Sequence, residues 1–204
     1  RRKLIIITGL SGYSLILRAL DGKIITNGFW EDILMDLKDT IRSIKDFPEE
    51  GIIFRDITTL LKDPKALKLA VDTIEEKLDG VDYDVIVAPE SRGFIFGMPL
   101  AYNKGKGFVP IRKKGKLPAE TVSREYALEY GTATIEMHLD ALEKGQKVVI
   151  VDDLLATGGT AKAMIELVES VGAEVSALCF LIELDALNGR ECLKDYNVKT
   201  ILHY

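Results

Sequence analysis

The stretch Lys147-Val-Val-Ile-Val-Asp-Asp-Leu-Leu-Ala-Thr-Gly-Gly-Thr160 passes from an unbroken apolar run into two acids and then into small residues. Val148 to Val151 read as a fully buried parallel strand, which places Asp152 and Asp153 at its carboxyl end, where open α/β sheets hold their ligands. A carboxylate there can accept hydrogen bonds from ribose hydroxyls. Thr157, Gly158, Gly159 and Thr160 then offer backbone N–H groups and hydroxyls at the first turn of a helix expected from about Ala161, the makings of a phosphate cradle. Acids after a strand are by themselves often solvated caps. The attached Thr-Gly-Gly-Thr turns the reading toward a sugar phosphate.

Outward from this stretch, apolar spacing gives a succession of elements. Leu37, Ile41 and Ile44 recur at helical spacing over 35–46, ending before Pro48. Residues 52–57 read as a short strand or extended hood, and Asp63-Pro64 opens a helix over 65–78 with Leu67, Val71, Ile74 and Leu78 as its inward stripe. Strands are expected at 84–88, 108–112, 147–151, 175–183 and 199–203, with helices at 94–102, 161–171 and 187–193. Residues 113–120 form a polar loop, and 126–130 with 132–137 a hairpin-like pair of arms. Strands alternating with helices imply an α/β fold, a doubly wound and mostly parallel sheet.

Residues 1–34 stand apart. Lys3–Thr8 reads as a strand, 9–12 as a turn, Ser14–Leu20 as a helix and 23–26 as a strand, which suggests the start of a phosphate-loop domain. The G-x-x-x-x-G-K-[ST] pattern is missing, however, since Gly12 is followed by Tyr13, Ser14 and Leu15 with no lysine. The stretch is therefore read as an appended segment, and Met35 as a natural first residue of the main domain, 35–204.

The 204 residues suit one domain of ordinary size, or about 170 residues with an appendage. With 47% hydrophobic and 29% charged residues the composition is that of a globular chain. A formal charge of −5 argues against general attraction to nucleic acid or anionic membrane, so an anionic ligand needs locally concentrated cations. Arg112, Lys113, Lys114 and Lys116 supply them, although such a run is usually a solvated face. No apolar run reaches membrane-spanning length. Cys179 and Cys192 form neither a metal spacing nor a disulfide framework, which fits reduced thiols and a cytoplasmic location.

Arg92, in Pro-Glu-Ser-Arg-Gly after a strand, presents a planar fork suited to pyrophosphate, with Gly93 letting the helix begin close to a ligand. The plainer reading is a surface arginine paired with Glu90. Phe54 can stack on a purine face, or else pack in the core.

Five blocks in order, 47–57 (Phe-Pro-Glu-Glu-Gly-Ile-Ile-Phe-Arg-Asp-Ile), 90–94 (Glu-Ser-Arg-Gly-Phe), 111–118 (Ile-Arg-Lys-Lys-Gly-Lys-Leu-Pro), 128–131 (Leu-Glu-Tyr-Gly) and the stretch quoted first, resemble the type I phosphoribosyltransferases, in the wording of their adenine branch. The resemblance covers about residues 35–204. It implies transfer of the 5-phosphoribosyl group from phosphoribosyl pyrophosphate to adenine, giving AMP and pyrophosphate, with Mg²⁺ held mainly through the substrate. It implies Glu129 as acid/base near the purine and Tyr130 as a lid contact. Ser91, Arg92, Lys113 and Lys116 would serve the pyrophosphate, Ala156 to Thr160 the phosphate, Ile53, Phe54 and Arg55 the base, and Leu184 the far wall of its slot. It implies a cis Glu90-Ser91 peptide and a homodimer in which Arg112 reaches the neighbour's site. The alternatives are a transferase for another nucleobase and a non-catalytic, ligand-sensing regulator of the same fold. The second would need a basic DNA-binding appendage that 1–34 does not supply.

Overall fold

Val-Ile-Val-Ala-Pro at 85–89 and Val-Val-Ile-Val at 148–151 have no polar side to turn to water, so each needs cover on both faces. The computed structural model describes residues 3–8, 14–20, 23–25, 35–127 and 132–204. The chain forms two compact units, Arg1–Leu69 and Ala70–Tyr204.

In the first unit β1 (Lys3–Thr8), β2 (Ser14–Leu20) and β3 (Lys23–Ile25) form an antiparallel sheet in that order. The helix expected at 14–20 is thus a strand, with Lys3 opposite Ala19 and Thr8 opposite Ser14. A short apolar run satisfies either period, and pairing with β1 decides it. The strand–turn–helix order of a phosphate-loop domain is therefore not built. The turn expected at 9–12 lies outside the described residues. The helix expected at 35–46 is also corrected: a single 3₁₀ turn, Leu37–Thr40, capped by the Asp36 carboxylate, leads into β4 (Arg42–Lys45), antiparallel to β5 (Ile53–Asp56). Ladder bonds to β5 and the cross-strand Arg42–Asp56 ion pair outweigh a weak helical stripe. Helix α1 (Thr58–Lys62), not anticipated, precedes α2 (Pro64–Lys77). Along α2 the wholly buried line runs through Ala66, Ala70 and Ile74, and Leu67 is only half-buried.

The second unit is built on a seven-stranded sheet ordered β12-β11-β10-β6-β7-β9-β8. Its strands are β6 (Val85–Pro89), β7 (Gly107–Lys113), β8 (Thr121–Ala127), β9 (Thr132–His138), β10 (Lys147–Leu155), β11 (Glu174–Glu183) and β12 (Val198–His203). The pairings from β12 to β7 are parallel, and the β8–β9 arm is antiparallel, as a doubly wound α/β fold requires. Helix α3 (Arg92–Lys104) follows β6 and α4 (Gly159–Ser170) follows β10. Strand alternation sends Ile86 and Ala88 toward Gly97 of α3, while Val85, Val87, Val148 and Ile150 join Met164, Ile165 and Val168 of α4. The helix expected at 187–193 resolves into two 3₁₀ turns, Asp185–Leu187 and Gly189–Leu193, parted by Asn188 in the left-handed region.

Ile150, fully buried between Val87 of β6 and Leu178 of β11, tests this arrangement. Truncation by Ile150→Ala should cost about 2–5 kcal/mol. A thermal scan should then show Tm lower by roughly 5 °C or more, given about 2–4 °C per kcal/mol for chains of this size. A change of under about 2 °C would contradict a tightly packed sheet centre.

Candidate active site

Strands β6 and β10 are neighbours, yet their chains leave in opposite directions: β6 through α3 to β7, and β10 through α4 to β11. A crevice opens where the two connections part. The pairing of β10 with β6 stops at Ile150 opposite Val87, whereas its pairing with β11 continues to Leu155 opposite Glu183. Asp152 and Asp153 therefore lie within β10 rather than beyond it, the strand running four residues past the expected end at Val151. They stand on the part of the strand that has lost its β6 partner and so border the crevice.

The resulting cleft, about 420 Å³, is in the range of small-ligand sites. It is lined by Pro89 to Arg92, Lys113, Tyr126, Asp152 to Ala161 and Phe180. Of the expected site residues it brings together Ser91, Arg92, Lys113, Asp152, Asp153, Ala156, Thr157, Gly158, Gly159 and Thr160. Arg112, Lys116 and Leu184 stay off its wall. Ile53, Phe54 and Arg55 lie on β5 of the first unit: Ile53 is exposed, Phe54 sits edge-on to Phe47 with centroids 5.3 Å apart, and the Arg55 guanidinium donates to Ser43 Oγ. Glu129 and Tyr130 lie outside the described residues.

The phosphate loop is the distinctive part. Among the described residues, the N–H groups of Thr157, Gly158, Gly159 and Thr160 donate to no protein acceptor. They include the orphan donors of the first turn of α4, which begins at Gly159, two residues earlier than expected. Unpaired N–H groups converging at a helix N-terminus favour an anion.

Charges around this loop are cross-linked. Arg92 Nε lies 2.6 Å from Asp153 Oδ2, so the partner of Arg92 is the buried Asp153 and not Glu90. Glu90 Oε2 instead accepts from Arg112 Nε at 2.8 Å and from the Lys113 N–H at 3.3 Å. Burial works to raise the Glu90 pKa, but these bonds outweigh it and hold the carboxyl below its usual range. The basic turn is tied down further by Arg112 Nη1 donating to the Lys116 carbonyl and by the Gly115 N–H donating to Glu136 Oε2. Asp152 accepts from the Asp153 N–H at 2.8 Å. Burial, reinforced by the neighbouring Asp153 charge, pushes its carboxyl well above the ordinary range. Burial raises Asp153 too, against the opposing pull of Arg92. Both acids are thus raised by burial, with Arg92 opposing the rise at Asp153. The Glu90-Ser91 peptide is cis. Gly93 makes room for the sheet and for the acid pair, since a Cβ there would stand 2.5 Å from Pro89 Cδ, 3.0 Å from the Val151 carbonyl and 3.1 Å from Asp152 Oδ1.

The sequence reading did not single out Tyr126, Phe180 or Glu136. Tyr126 and Phe180 sit in ordinary strand patterns, and Glu136 pairs with a backbone N–H that no spacing announces. Glu90 was noticed with the wrong partner.

A switch-point crevice with an acid pair and a loop of free N–H groups defines a site for a phosphorylated sugar or nucleotide. The model of the phosphoribosyl transferase domain matches residues 57–203. An adenine phosphoribosyltransferase of Lachnoclostridium phytofermentans is 61% identical over 168 residues, 82% of this chain and 97% of the relative. The crystal structure of the adenine phosphoribosyltransferase of Thermoanaerobacter pseudethanolicus superposes with a TM-score of 0.80 at 54% identity, covering 82% of this chain and 98% of that one. That of Saccharomyces cerevisiae, complexed with an imino-altritol bisphosphate and adenine, gives 0.76 at 42% identity over 81% and 96%. The chain belongs to the type I phosphoribosyltransferases, in the adenine phosphoribosyltransferase branch.

Asp152→Asn tests the electrostatics. Because the folded carboxyl keeps a proton that the unfolded one releases near its ordinary pKa of about 3.9, wild-type stability is lost as pH rises from there through the raised folded value. Asparagine carries no such penalty. Thermal scans should therefore show the variant's Tm advantage growing as pH rises above about 4. A pH-independent difference would contradict a raised carboxyl at Asp152.

Proposed function

We propose that this chain transfers the 5-phosphoribosyl group from phosphoribosyl pyrophosphate to adenine, releasing AMP and pyrophosphate in purine salvage. The observation that carries the reading is the set of unpaired N–H groups from Thr157 to Thr160 beside Asp152 and Asp153. The 5′-phosphate fits the loop, and the ribose hydroxyls fit the acid pair. A purine nitrogen then bonds to C1 as the C1–O bond to pyrophosphate breaks, with the sugar passing through an oxocarbenium-like state. Little covalent participation is needed, and positioning of reactants supplies about 7–11 kcal/mol where they are held in near-attack geometry.

Arg92, Ser91, Lys113 and Lys116 serve the leaving group, and the free edge of the Arg92 guanidinium is available while Nε stays on Asp153. The donor set suits Mg²⁺ arriving with the substrate: the lining offers hard carboxylate oxygens from Asp152 and Asp153 and no cysteine or histidine. When bound, such an ion would neutralise charge on the phosphate oxygens. Ile53, Phe54, Arg55 and Leu184 form the base slot by likeness to the family, and base selectivity arises because a 6-oxopurine presents the opposite donor and acceptor pattern. The protein works as a cytoplasmic homodimer in which Arg112 leaves Glu90 for the neighbouring site. Met98 and Tyr102, both exposed and one turn apart on α3, supply an apolar face for a second copy. Among the described residues no helix is long and apolar enough to cross a membrane. Chemistry is assigned to 35–204, with residues 1–34 an appendage; the relatives' alignments span nearly their whole length in about 170 residues.

A spectrophotometric assay of adenine, hypoxanthine and guanine tests both the base and the domain assignment. Adenine should be preferred in kcat/KM by more than about tenfold, 1.4 kcal/mol of discrimination, and a chain beginning at Met35 should match the full chain within about threefold. Equal use of an oxopurine would favour the transferase for another base, and no turnover with any base the regulator.

Glu129→Gln, which keeps size and hydrogen bonding but not proton exchange, should slow single-turnover chemistry roughly 10²–10⁴-fold with little change in Tm. A chemical step within about threefold of wild type would reduce Glu129 to a lid residue.

A further inference from the structure

The turn between β11 and β12 enters the proposed chemistry only through Leu184, yet it is the surface on which the phosphate loop rests. Asn188, at φ 49°, bends the chain so that Gly189 meets the loop backbone to backbone. A Cβ on Gly189 would stand 2.1 Å from the Ala156 carbonyl oxygen and 3.0 Å from the Gly158 nitrogen. A Cβ on Gly158 would stand 2.5 Å from the Gly189 carbonyl oxygen and 2.3 Å from Cys192 Sγ. Gly189 lies outside the left-handed region, so an alanine there is excluded by space alone. Cys192 Sγ lies 3.1 Å from the Gly189 carbonyl and 3.7 Å from that of Thr157, spanning turn and loop. Behind the turn, Arg190 grips the buried Glu183 through Nε at 3.1 Å and Nη2 at 2.6 Å, and reaches Thr200 Oγ1 and the Val198 carbonyl on β12 at 3.0 Å each.

We infer that Gly189 is a positioning residue for the substrate's 5′-phosphate, holding the loop 156–160 at the height at which its N–H groups converge. The inference rests on the reading of that loop as the phosphoribosyl pyrophosphate cradle. A loop that keeps its N–H groups for a ligand cannot use them to brace itself, so its shape must come from packing behind it. Leu184 is fixed separately, its N–H donating to the Leu155 carbonyl at 2.9 Å. Disturbing Gly189 should therefore reach the phosphate before the base.

Two perturbations of the full chain test this. In steady-state assays Gly189→Ala should raise KM for phosphoribosyl pyrophosphate by roughly tenfold or more, since displacements of an ångström at a site cost up to about a hundredfold. KM for adenine and kcat should stay within about threefold. Iodoacetamide offers a route that needs no refolding: Cys179 is buried with its thiol pushed up to about 12, so alkylation adds bulk at the exposed Cys192 against Gly158. It should raise the same KM, leave the Cys192→Ser protein unaffected, and be slowed by phosphoribosyl pyrophosphate. If Gly189→Ala does not fold, the alkylated protein decides. A folded, active Gly189→Ala or alkylated enzyme with KM for phosphoribosyl pyrophosphate unchanged, or with both KM values rising together, overturns the positioning role. Untreated enzyme without any phosphoribosyl pyrophosphate-dependent turnover would instead overturn the functional reading itself, so the two failures are separable.

Discussion

Backbone N–H groups kept for an anion cannot also hold the chain that carries them. Between Leu155, the last residue of β10, and the first turn of α4, the phosphate loop has given up its internal hydrogen bonds. What remains to fix it are the two elements it joins and the turn it leans on. The strand end is held by the ladder to β11, which continues to Leu155 opposite Glu183 after β6 has stopped. The helix start is held by Ala161, Met164 and Ile165 in the main core. One strand end thus does two jobs: losing β6 opens the crevice, and keeping β11 stops the strand from fraying into it.

Charge around the crevice is arranged so that the cations wait on carboxylates. Arg92 rests on Asp153, and Arg112 on Glu90. Each guanidinium is oriented before a ligand arrives and spared a free search through its rotamers, which costs side-chain entropy. Half-exposed pairs of this kind contribute little net stability. Their value is geometric: Arg92 is oriented on the crevice wall and Arg112 beside it, local cations in a chain whose overall charge is −5.

The sequence made the second unit legible because its signals were strong and redundant. Unbroken apolar strands such as 148–151 allow only a doubly covered parallel sheet, and Thr-Gly-Gly-Thr after paired acids announced the loop to within two residues. The misreadings share one cause. Ser14–Leu20 and 35–46 are short apolar stretches that fit either period, and their conformation was decided by partners far along the chain, β1 in one case and β5 in the other. Pairings across the site were equally invisible. Arg92 and Asp153 are 61 positions apart and Gly115 and Glu136 are 21 apart, so no local spacing could join them. Gly189 was hidden differently: beside Asn188 it reads as an ordinary turn glycine, and only the Ala156 carbonyl in front of its Cα gives it another meaning.

Asp152 shows what such a site costs the fold. A carboxyl on a buried strand, next to a second carboxyl, sits where an apolar residue would pack better, and burial with its neighbour's charge raises its pKa well above the ordinary range. The surrounding sheet can carry this because its flanks are apolar throughout: Val148 to Val151 are fully buried, as are Leu178 to Ile182 alongside. The two acids are pushed unequally: Asp152 is raised by burial and by its neighbour's charge, whereas Arg92 opposes the rise at Asp153. Burial that looks like a defect in the sheet thereby sets the two adjacent acids apart, because the Arg92 guanidinium pairs with Asp153 alone.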